Sequence, residues 1–152
     1  MPTEAYSFLG DRDEVVDNAK ALSKVPFFEA LGQEYVSAVA RHSKQVRAQP
    51  GTVIIEQNAP GAEFVLIMSG SVRVEKDGKP ISKPAAGDFF GELALLDGES
   101  RSASVIADEE CTLTILQKDV FDALLRDVPG LERKLLLVLA SRLRSRGDRP
   151  LA

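Results

Sequence analysis

The sequence predicts an α+β domain in which an antiparallel jelly-roll barrel, or β-roll, is flanked by N-terminal helices and a C-terminal helix pair. Two observations support this fold class. Apolar residues recur at helical spacing near both ends of the chain, whereas the middle contains short β-type runs. Glycines divide the middle zone at intervals typical of short strands and turns in small barrels. Helices at the ends of an all-β core make an α+β domain.

The N-terminal zone, residues 1–48, is predicted to be helical after a polar start. Residues 1–18 are expected to form a polar tail, and the domain itself is expected to span residues 19–146. The predicted helical zone is interrupted by Pro26 and Gly32. Its apolar residues recur every three to four positions: Leu22, Val25, Phe27, Phe28, Leu31, Tyr35, Val36, Val39 and Ala40.

The middle zone, residues 50–117, is predicted to contain the strands of the barrel. Asp77 and Gly78 are expected to form a hairpin turn, because both residues tolerate a positive φ. Glycines stand at positions 51, 61, 70, 78, 87, 91 and 98. Between and after them, strands are predicted at residues 52–55, 64–68, 71–74, 102–106 and 111–115.

The C-terminal zone predicts two helices that are separated by a break at Pro129-Gly130. The first carries an apolar stripe within residues 120–125, and the second runs from Leu131 to Arg146, followed by a tail at residues 147–152. Leucines cover more of the second helix than docking on one barrel face requires. The sequence leaves open whether they form one broad core face or also contact a partner helix, which would make the chain a homodimer.

Composition excludes several classes of protein. The chain has 152 residues, of which 44% are hydrophobic and 28% charged, as expected for one globular domain. The longest apolar run, residues 135–140, is far shorter than the roughly 20 residues of a membrane span. The acidic N-terminal segment is unlike a signal peptide. The single cysteine, Cys111, fits a reducing cytoplasm, where we expect the protein to reside.

The residue types that support most catalysis are scarce. The chain has one histidine, His42, and one cysteine, too few for a His/Cys metal site. His42 stands beside Arg41 in a predicted helical zone and is interpreted as a surface residue. The chain has no other imidazole that could serve as the usual general base of a hydrolytic enzyme. We therefore expect no enzyme activity, no cofactor and no metal.

Charge is distributed unevenly along the chain. The net charge is −4, yet residues 131–152 contain six basic side chains and only two acidic ones. This basic segment could be a nucleic-acid arm, but we favour a solvated helix end whose cations complement the helix dipole. Only six residues follow Arg146, too few for a helix-turn-helix, so we expect no direct DNA binding by this chain.

The segment Gly87 to Val105 departs from the regular glycine spacing and carries the candidate chemistry. Residues 93–96 are good helix formers between Gly91 and Gly98, so they predict a short helical turn whose first amide groups can bind an anion. Arg101 follows and can supply bidentate hydrogen bonds to a phosphate. Glu92 suits a sugar hydroxyl better than a phosphate. From these residues alone, a plain loop with a surface Glu–Arg pair remains an open alternative.

Two motifs in this segment resemble a known family. Phe-Gly-Glu-Leu-Ala-Leu-Leu at residues 90–96 and Arg-Ser-Ala-Ser-Val at residues 101–105 are similar to the phosphate-binding cassette of the cyclic nucleotide-binding domains. Those domains occur in protein kinase A regulatory subunits, the catabolite activator protein and nucleotide-gated channels. Flanking segments resemble the family too, including Pro50-Gly51-Thr52-Val53-Ile54, Phe64-Val65-Leu66-Ile67 and Gly87-Asp88-Phe89. The resemblance covers roughly residues 20–146.

The resemblance implies a role for each residue of the candidate site. Glu92 would accept the ribose 2′-hydroxyl, and Arg101 would pair with the cyclic phosphate. An arginine of the last helix, Arg142, would act as a lid over the base or near Glu92, with Arg144 and Arg146 as alternatives. The other implied ligand-binding residues are Gly91, Leu93 and Ala94 through their backbone, Ser102 and the backbone of Ala103 at the phosphate, and Val72 and Val74 at the base.

The same resemblance implies a regulatory function. Ser102 follows the cassette arginine, where related sites carry Ala, Thr or Ser, so cAMP is favoured as the ligand and cGMP stays open. The expected protein is a cyclic nucleotide sensor that relays binding to an unknown effector through its C-terminal helices. Alternatives are an interaction or dimerisation module that has lost nucleotide binding, and the sensor fragment of a larger transcription regulator or channel.

Overall fold

The structure, a computed structural model, describes residues 6–8, 22, 28, 33–61 and 63–146, and within these ranges it has nine strands and four helices of defined bounds. The helices are α1 (Gln33–His42), α2 (Glu92–Asp97), α3 (Lys118–Asp127) and the longest, α4 (Leu131–Arg146). The strands are β1 (Tyr6–Phe8), β2 (Lys44–Ala48), β3 (Val53–Ile55), β4 (Glu63–Ser69), β5 (Val72–Lys76), β6 (Lys79–Ser82), β7 (Phe89–Phe90), β8 (Ser104–Ala107) and β9 (Cys111–Gln117).

The strands form two antiparallel sheets, which confirms the predicted α+β roll. One sheet has the order β1-β2-β9-β4-β7 and the other has the order β3-β8-β5-β6. The predicted hairpin at Asp77-Gly78 joins β5 to β6, with φ of 53° and 78° at its two turn residues. Positive φ at both positions matches the right-handed twist of the flanking strands.

Two hydrophobic cores share the central strand β4. Val65 and Ile67 face the other sheet and pack with residues of β2, β3, β5, β8 and β9. Phe64 and Leu66 face the opposite way and pack with α1, α3 and α4. Because β4 is covered on both faces, its apolar residues are consecutive rather than alternating.

The helix pair follows the prediction closely. The chain breaks at Pro129-Gly130, where Gly130 has a φ of 82°, and α4 begins at Leu131. Leu131 and Leu135 are buried against the helical core, whereas Leu136, Leu137 and Leu143 are 51–65% exposed. The described residues of this chain therefore cover only one face of α4.

The prediction of helix as far as residue 48 is wrong. α1 ends at His42, and Lys44–Ala48 forms β2, in which the buried Val46 and Ala48 alternate with the half-buried Gln45 and the exposed Arg47. Period-two burial is the signature of a strand. Strand β1 also lies within the segment expected to be a polar tail, where it pairs with β2.

Other predicted features fall partly outside the described residues. Leu22 and Phe28 are fully buried in the helical core. Val25, Phe27 and Leu31, most of the predicted tail at residues 1–18 and the tail at residues 147–152 lie outside the described residues. Strands β6 and β7 have no counterpart among the predicted strands.

Candidate functional site

Arg101 is buried between two parts of the chain and is anchored to both. It lies after α2, is only 6% exposed, and donates from Nη1 to the Gly91 carbonyl oxygen at 2.7 Å. Its Nη2 donates to the Glu63 carbonyl oxygen at 2.8 Å. The backbone of Arg101 is bonded to the loop before β4, since Asn58 N–H donates to its carbonyl oxygen and its own N–H donates to Ala59. These contacts hold the guanidinium beside the start of the cassette.

Two glycines leave the space that this guanidinium occupies. A Cβ on Gly61 would lie 2.1–2.7 Å from the Nε, Cζ and Cδ atoms of Arg101. A Cβ on Gly91 would lie 2.8 Å from its Nη1, and Gly91 also has a φ of 94°. At both positions, glycine permits the close approach of backbone and side chain.

Arg101 is cationic although its surroundings lower its pKa overall. Burial lowers the pKa of the Arg101 guanidinium, while the negative charges of Glu63 and Glu92 raise it. An arginine pKa starts so high that the group remains protonated in proteins. The two carbonyl bonds engage two of the five N–H donors of a guanidinium. The arrangement can therefore present a fixed positive charge with further donors to an anion.

Glu92 is the other charged residue in the interior. It is fully buried at the start of α2, and its Oε1 accepts a hydrogen bond from Arg142 Nη1 at 2.9 Å. Arg142 comes from α4, so this ion pair connects the last helix to the cassette. The predicted short helical turn is confirmed as α2, bounded by Gly91 and Gly98, both with positive φ. The alternative of an exposed Glu–Arg pair is contradicted by the burial of Glu92 and Arg101.

Arg142 also contacts Phe89, which was not among the predicted site residues. Its Nη2 donates to the Phe89 carbonyl oxygen at 2.7 Å, and its Cζ lies 4.3 Å from the centre of the Phe89 ring. This is a cation–π arrangement. Residues 89 and 142 are far apart in sequence, so no local pattern could have paired them.

A cavity of about 220 Å³ lies beside this ion pair. Val74 and Arg142, two predicted site residues, line it, and Ser82 at the end of β6 contributes a hydroxyl group. The full lining is Val74, Ser82, Lys83, Pro84, Asp88, Phe89, Phe90 and Arg142. Sequence reasoning missed the contribution of residues 82–84, because β6 was not predicted.

The remaining predicted residues occupy different places relative to the cavity. Val72 is fully buried in the roll core, and neither Arg101 nor Glu92 is among the lining residues. Ala103 is buried and Ser102 is half-buried, directly after Arg101. Leu93 and Ala94 lie in α2. The structure therefore brings Gly91, Glu92, Arg101 and Arg142 into one connected set of contacts, with the cavity at the Arg142 end.

Comparison with known proteins identifies the family. The family model described as "Cyclic nucleotide-binding domain" matches residues 45–128, more than half of the chain. The chain belongs to the cyclic nucleotide-binding domain family. The match begins in β2 and ends just after α3, so it includes the cassette and the strands β3 to β9.

Curated relatives are longer proteins. A cAMP-dependent protein kinase regulatory subunit of Hypocrea atroviridis is 37% identical over 113 residues, covering 74% of this chain and 24% of that protein. The potassium/sodium hyperpolarization-activated cyclic nucleotide-gated channel 2 of Mus musculus is 33% identical over 134 residues, covering 87% of this chain and 16% of the channel. The chain thus spans about a quarter or less of the length of these two relatives.

Solved structures agree on the fold. A cyclic nucleotide-binding domain from Methylobacillus flagellatus has a TM-score of 0.78 and 28% identity, with 96% of this chain and 88% of that chain covered. A cAMP-binding acyltransferase from Mycobacterium smegmatis has a TM-score of 0.72 and 30% identity, with 89% of this chain and 43% of that chain covered. This chain thus matches nearly all of the first solved chain and less than half of the second.

Among the described residues, no three His, Cys, Asp or Glu residues are grouped so that they could hold a metal ion. No helix in the described part of the chain has the length and apolar character needed to cross a membrane.

Proposed function

We propose that this chain is a non-catalytic sensor that binds a cyclic nucleotide, with cAMP as the favoured ligand. The observation that carries this proposal is the buried Arg101 cation, which is anchored to Gly91 and stands next to Glu92 in a cassette of this family. A buried guanidinium with donors to spare is suited to a phosphodiester. Relatives named for cAMP support the choice of base, and the Ser102 hydroxyl is compatible with either purine.

The other site residues receive roles that fit their positions. Glu92 accepts the ribose 2′-hydroxyl, and backbone groups of Gly91, Leu93 and Ala94 contact the ribose and phosphate. Ser102 and the backbone of Ala103 assist Arg101 at the phosphate. Val74 lines the base pocket, with Val72 packed behind it in the core. These residues lie on β5, on α2, at Gly91 directly before α2, or in the segment that leads into β8.

Arg142 supplies the relay to the C-terminal helices. In the structure its guanidinium pairs with the Glu92 carboxylate and lines the cavity. The cavity volume of about 220 Å³ is smaller than that of most small-molecule sites, which measure about 300–1,000 Å³. Nucleotide binding transfers Glu92 from Arg142 to the ribose, and Arg142 then covers the base. Since Arg142 belongs to α4, this exchange of partners changes how α4 is held.

The effector that receives this signal lies outside the binding site. The relatives are several times longer than this chain, so a sensor segment of a larger regulator or channel fits the same geometry. The exposed leucines of α4 favour a second role in assembly, as a homodimer. We place the protein in the cytoplasm and assign no DNA contact to this chain.

Calorimetric titration with cAMP and cGMP tests the proposed function. The wild-type protein is expected to bind, and Arg101→Ala is expected to cost about 2–5 kcal/mol of binding free energy, because a desolvated phosphate loses its charged partner. Arg73→Ala is the matched control. Arg73 pairs with Glu75 and Asp108 on the roll surface, so its removal leaves the affinity unchanged.

Two results contradict the proposal. The first is a wild-type protein that binds neither nucleotide at millimolar concentration. The second is an Arg101→Ala protein that is folded by circular dichroism and binds as tightly as the wild type.

A further inference from the structure

A groove runs between α1 and α3, away from the cassette. The two helices lie side by side, and the space between them has a volume of about 380 Å³. Its walls are mainly apolar, with Val39, Val120 and Leu124 among the lining residues. Ala38 of α1 and Ala123 of α3 also line it, and their short side chains leave the space open. All the lining residues belong to α1 or α3, so this α1–α3 groove is separate from the proposed nucleotide site.

Carboxylates stand at both ends of the α1–α3 groove. Asp119 lies in the first turn of α3 and Asp127 is its last residue, so the two are about 12 Å apart along the helix axis. Asp127 pairs with Arg126 at 3.1 Å, but both side chains are more than half exposed, and such surface pairs are weak enough to exchange partners. An occupant that fits this groove is therefore apolar in the middle and positively charged at both ends.

The exposed side of α4 has the complementary pattern. Leu136, Leu137 and Leu143 are more than half exposed, and the exposed Arg133 and Arg144 stand before and after them on the helix. The two arginines are three helical turns apart, so they lie on one face of α4, about 16 Å from each other along the axis. These five residues form the α4 ridge. Arginine side chains are long enough to span the few ångströms by which the spacings of the two surfaces differ.

The charge of α4 argues against the simpler arrangement in which two α4 helices pack on each other. Each α4 carries basic residues at positions 133, 134, 142, 144 and 146 but only one acidic residue, Glu132. Pairing two such helices would bring like charges together, which opposes association. The α1–α3 groove instead offers the leucines an apolar surface and offers the arginines two carboxylates.

We propose that the α4 ridge of one copy of this chain docks in the α1–α3 groove of a second copy. This inference rests on the assembly role proposed for α4 and does not depend on nucleotide binding. The leucines fill the apolar middle of the groove, while Arg133 and Arg144 each pair with a carboxylate at one end, so that the contact is a helix in a groove with matched charges. When each copy docks its ridge in the other, two identical contacts close a dimer.

Charge reversal on the two surfaces tests this contact by sedimentation velocity. The groove variant is Asp119→Arg, Asp127→Arg, and the ridge variant is Arg133→Glu, Arg144→Glu. Each variant alone places like charges at both ends of the contact, so its dimer is expected to be weaker than the wild-type dimer by at least about tenfold. An equimolar mixture of the two variants has opposite charges in both contacts and is expected to dimerise like the wild type. All four positions are exposed, so both variants are expected to fold, which circular dichroism checks.

The matched control is Glu109→Arg, Glu110→Arg, on the exposed turn between β8 and β9. This control and the groove variant both raise the net charge by four, from −4 to zero. A smaller net charge reduces the general repulsion between copies, so it cannot by itself weaken the dimer of the groove variant. The control is therefore expected to dimerise at least as strongly as the wild type.

Three results would overturn the inference. The first is a groove variant that dimerises as strongly as the wild type while the ridge variant does not, because α4 would then pack on another surface. The second is a mixture of the two variants that stays monomeric, and the third is a monomeric wild type. Calorimetry keeps the proposed function separate. The groove variant is expected to bind cAMP with wild-type affinity, and a wild type that dimerises but binds neither nucleotide would overturn the sensor function alone.

Discussion

At the scale of single residues, the position of Arg101 depends on what Gly61 lacks. A Cβ at position 61 would overlap the guanidinium, although the backbone there has no positive φ that would strain alanine. We therefore predict that Gly61→Ala displaces Arg101 and lowers cAMP affinity by at least about tenfold, on the order of 1.4 kcal/mol. Calorimetric titration measures this loss.

The matched control for Gly61→Ala is Gly78→Ala. Gly78 has open space around it but a φ of 78°, so alanine there is strained and costs roughly 1 kcal/mol of stability. The turn itself, Asp77-Gly78, contains none of the proposed binding residues, and nucleotide affinity is expected to stay at the wild-type value. Equal cAMP affinities for Gly61→Ala and the wild type would contradict the prediction, because Arg101 would then bind the ligand equally well with a Cβ at position 61.

At the residue scale, the sequence predicted the local structure of the cassette, and the binding roles of its residues stay predictions. Glu92 and Arg101 are close in sequence, and the glycine-bracketed turn between them is present in the structure. Arg142 was predicted as the lid arginine only from the family resemblance, with Arg144 and Arg146 as alternatives. The sequence could not decide among them, because which of these residues faces the site depends on how the helix packs. Ser82 and Phe89 were missed, since their relation to Arg142 is created by tertiary contacts across the roll.

At the scale of elements, the apolar spacing predicted the helix pair well and the short strands less well. α4 was predicted with its observed bounds because Pro129-Gly130 marks its start. β2 was assigned to the helical zone, since its two buried residues are too few to establish a period of two. β6 begins with Lys79-Pro80, and β7 has only two residues, so neither presents a strand-like run.

The exposed face of α4 predicts self-association at high concentration. Leu136, Leu137 and Leu143 are 65%, 58% and 51% exposed on a helix whose opposite face is buried. We expect sedimentation to detect a dimer that the double variant Leu136→Gln, Leu143→Gln abolishes, because its apolar contact area is lost. Val53→Gln alters an equally apolar but separate surface residue, 41% exposed on β3, and is expected to remain dimeric. A monomeric wild type would contradict this assignment.

At the scale of the whole molecule, two cores meet at β4 and one ion pair connects the last helix to the cassette. The roll core holds the sheets together, and the helical core holds α1, α3 and the buried face of α4. Arg142 of α4 contacts both Glu92 of α2 and the backbone of Phe89 in β7. A ligand that changes the partners of Glu92 therefore acts on α4 through Arg142, and coupling between such sites is reciprocal.

This connection predicts that ligand binding alters α4 only when Arg142 is present. We expect saturating cAMP to slow amide hydrogen exchange across residues 131–146 in the wild type, because Arg142 then ties α4 to the bound base. Coupling of this kind typically changes an equilibrium by about 5- to 150-fold. In Arg142→Ala the nucleotide still binds to Arg101, but exchange in α4 no longer responds. Arg144→Ala, at an exposed position on the same helix, is expected to respond like the wild type. If cAMP changed the exchange of α4 equally in Arg142→Ala, the prediction would be wrong. The binding site would then be coupled to α4 through contacts other than the Arg142–Glu92 ion pair.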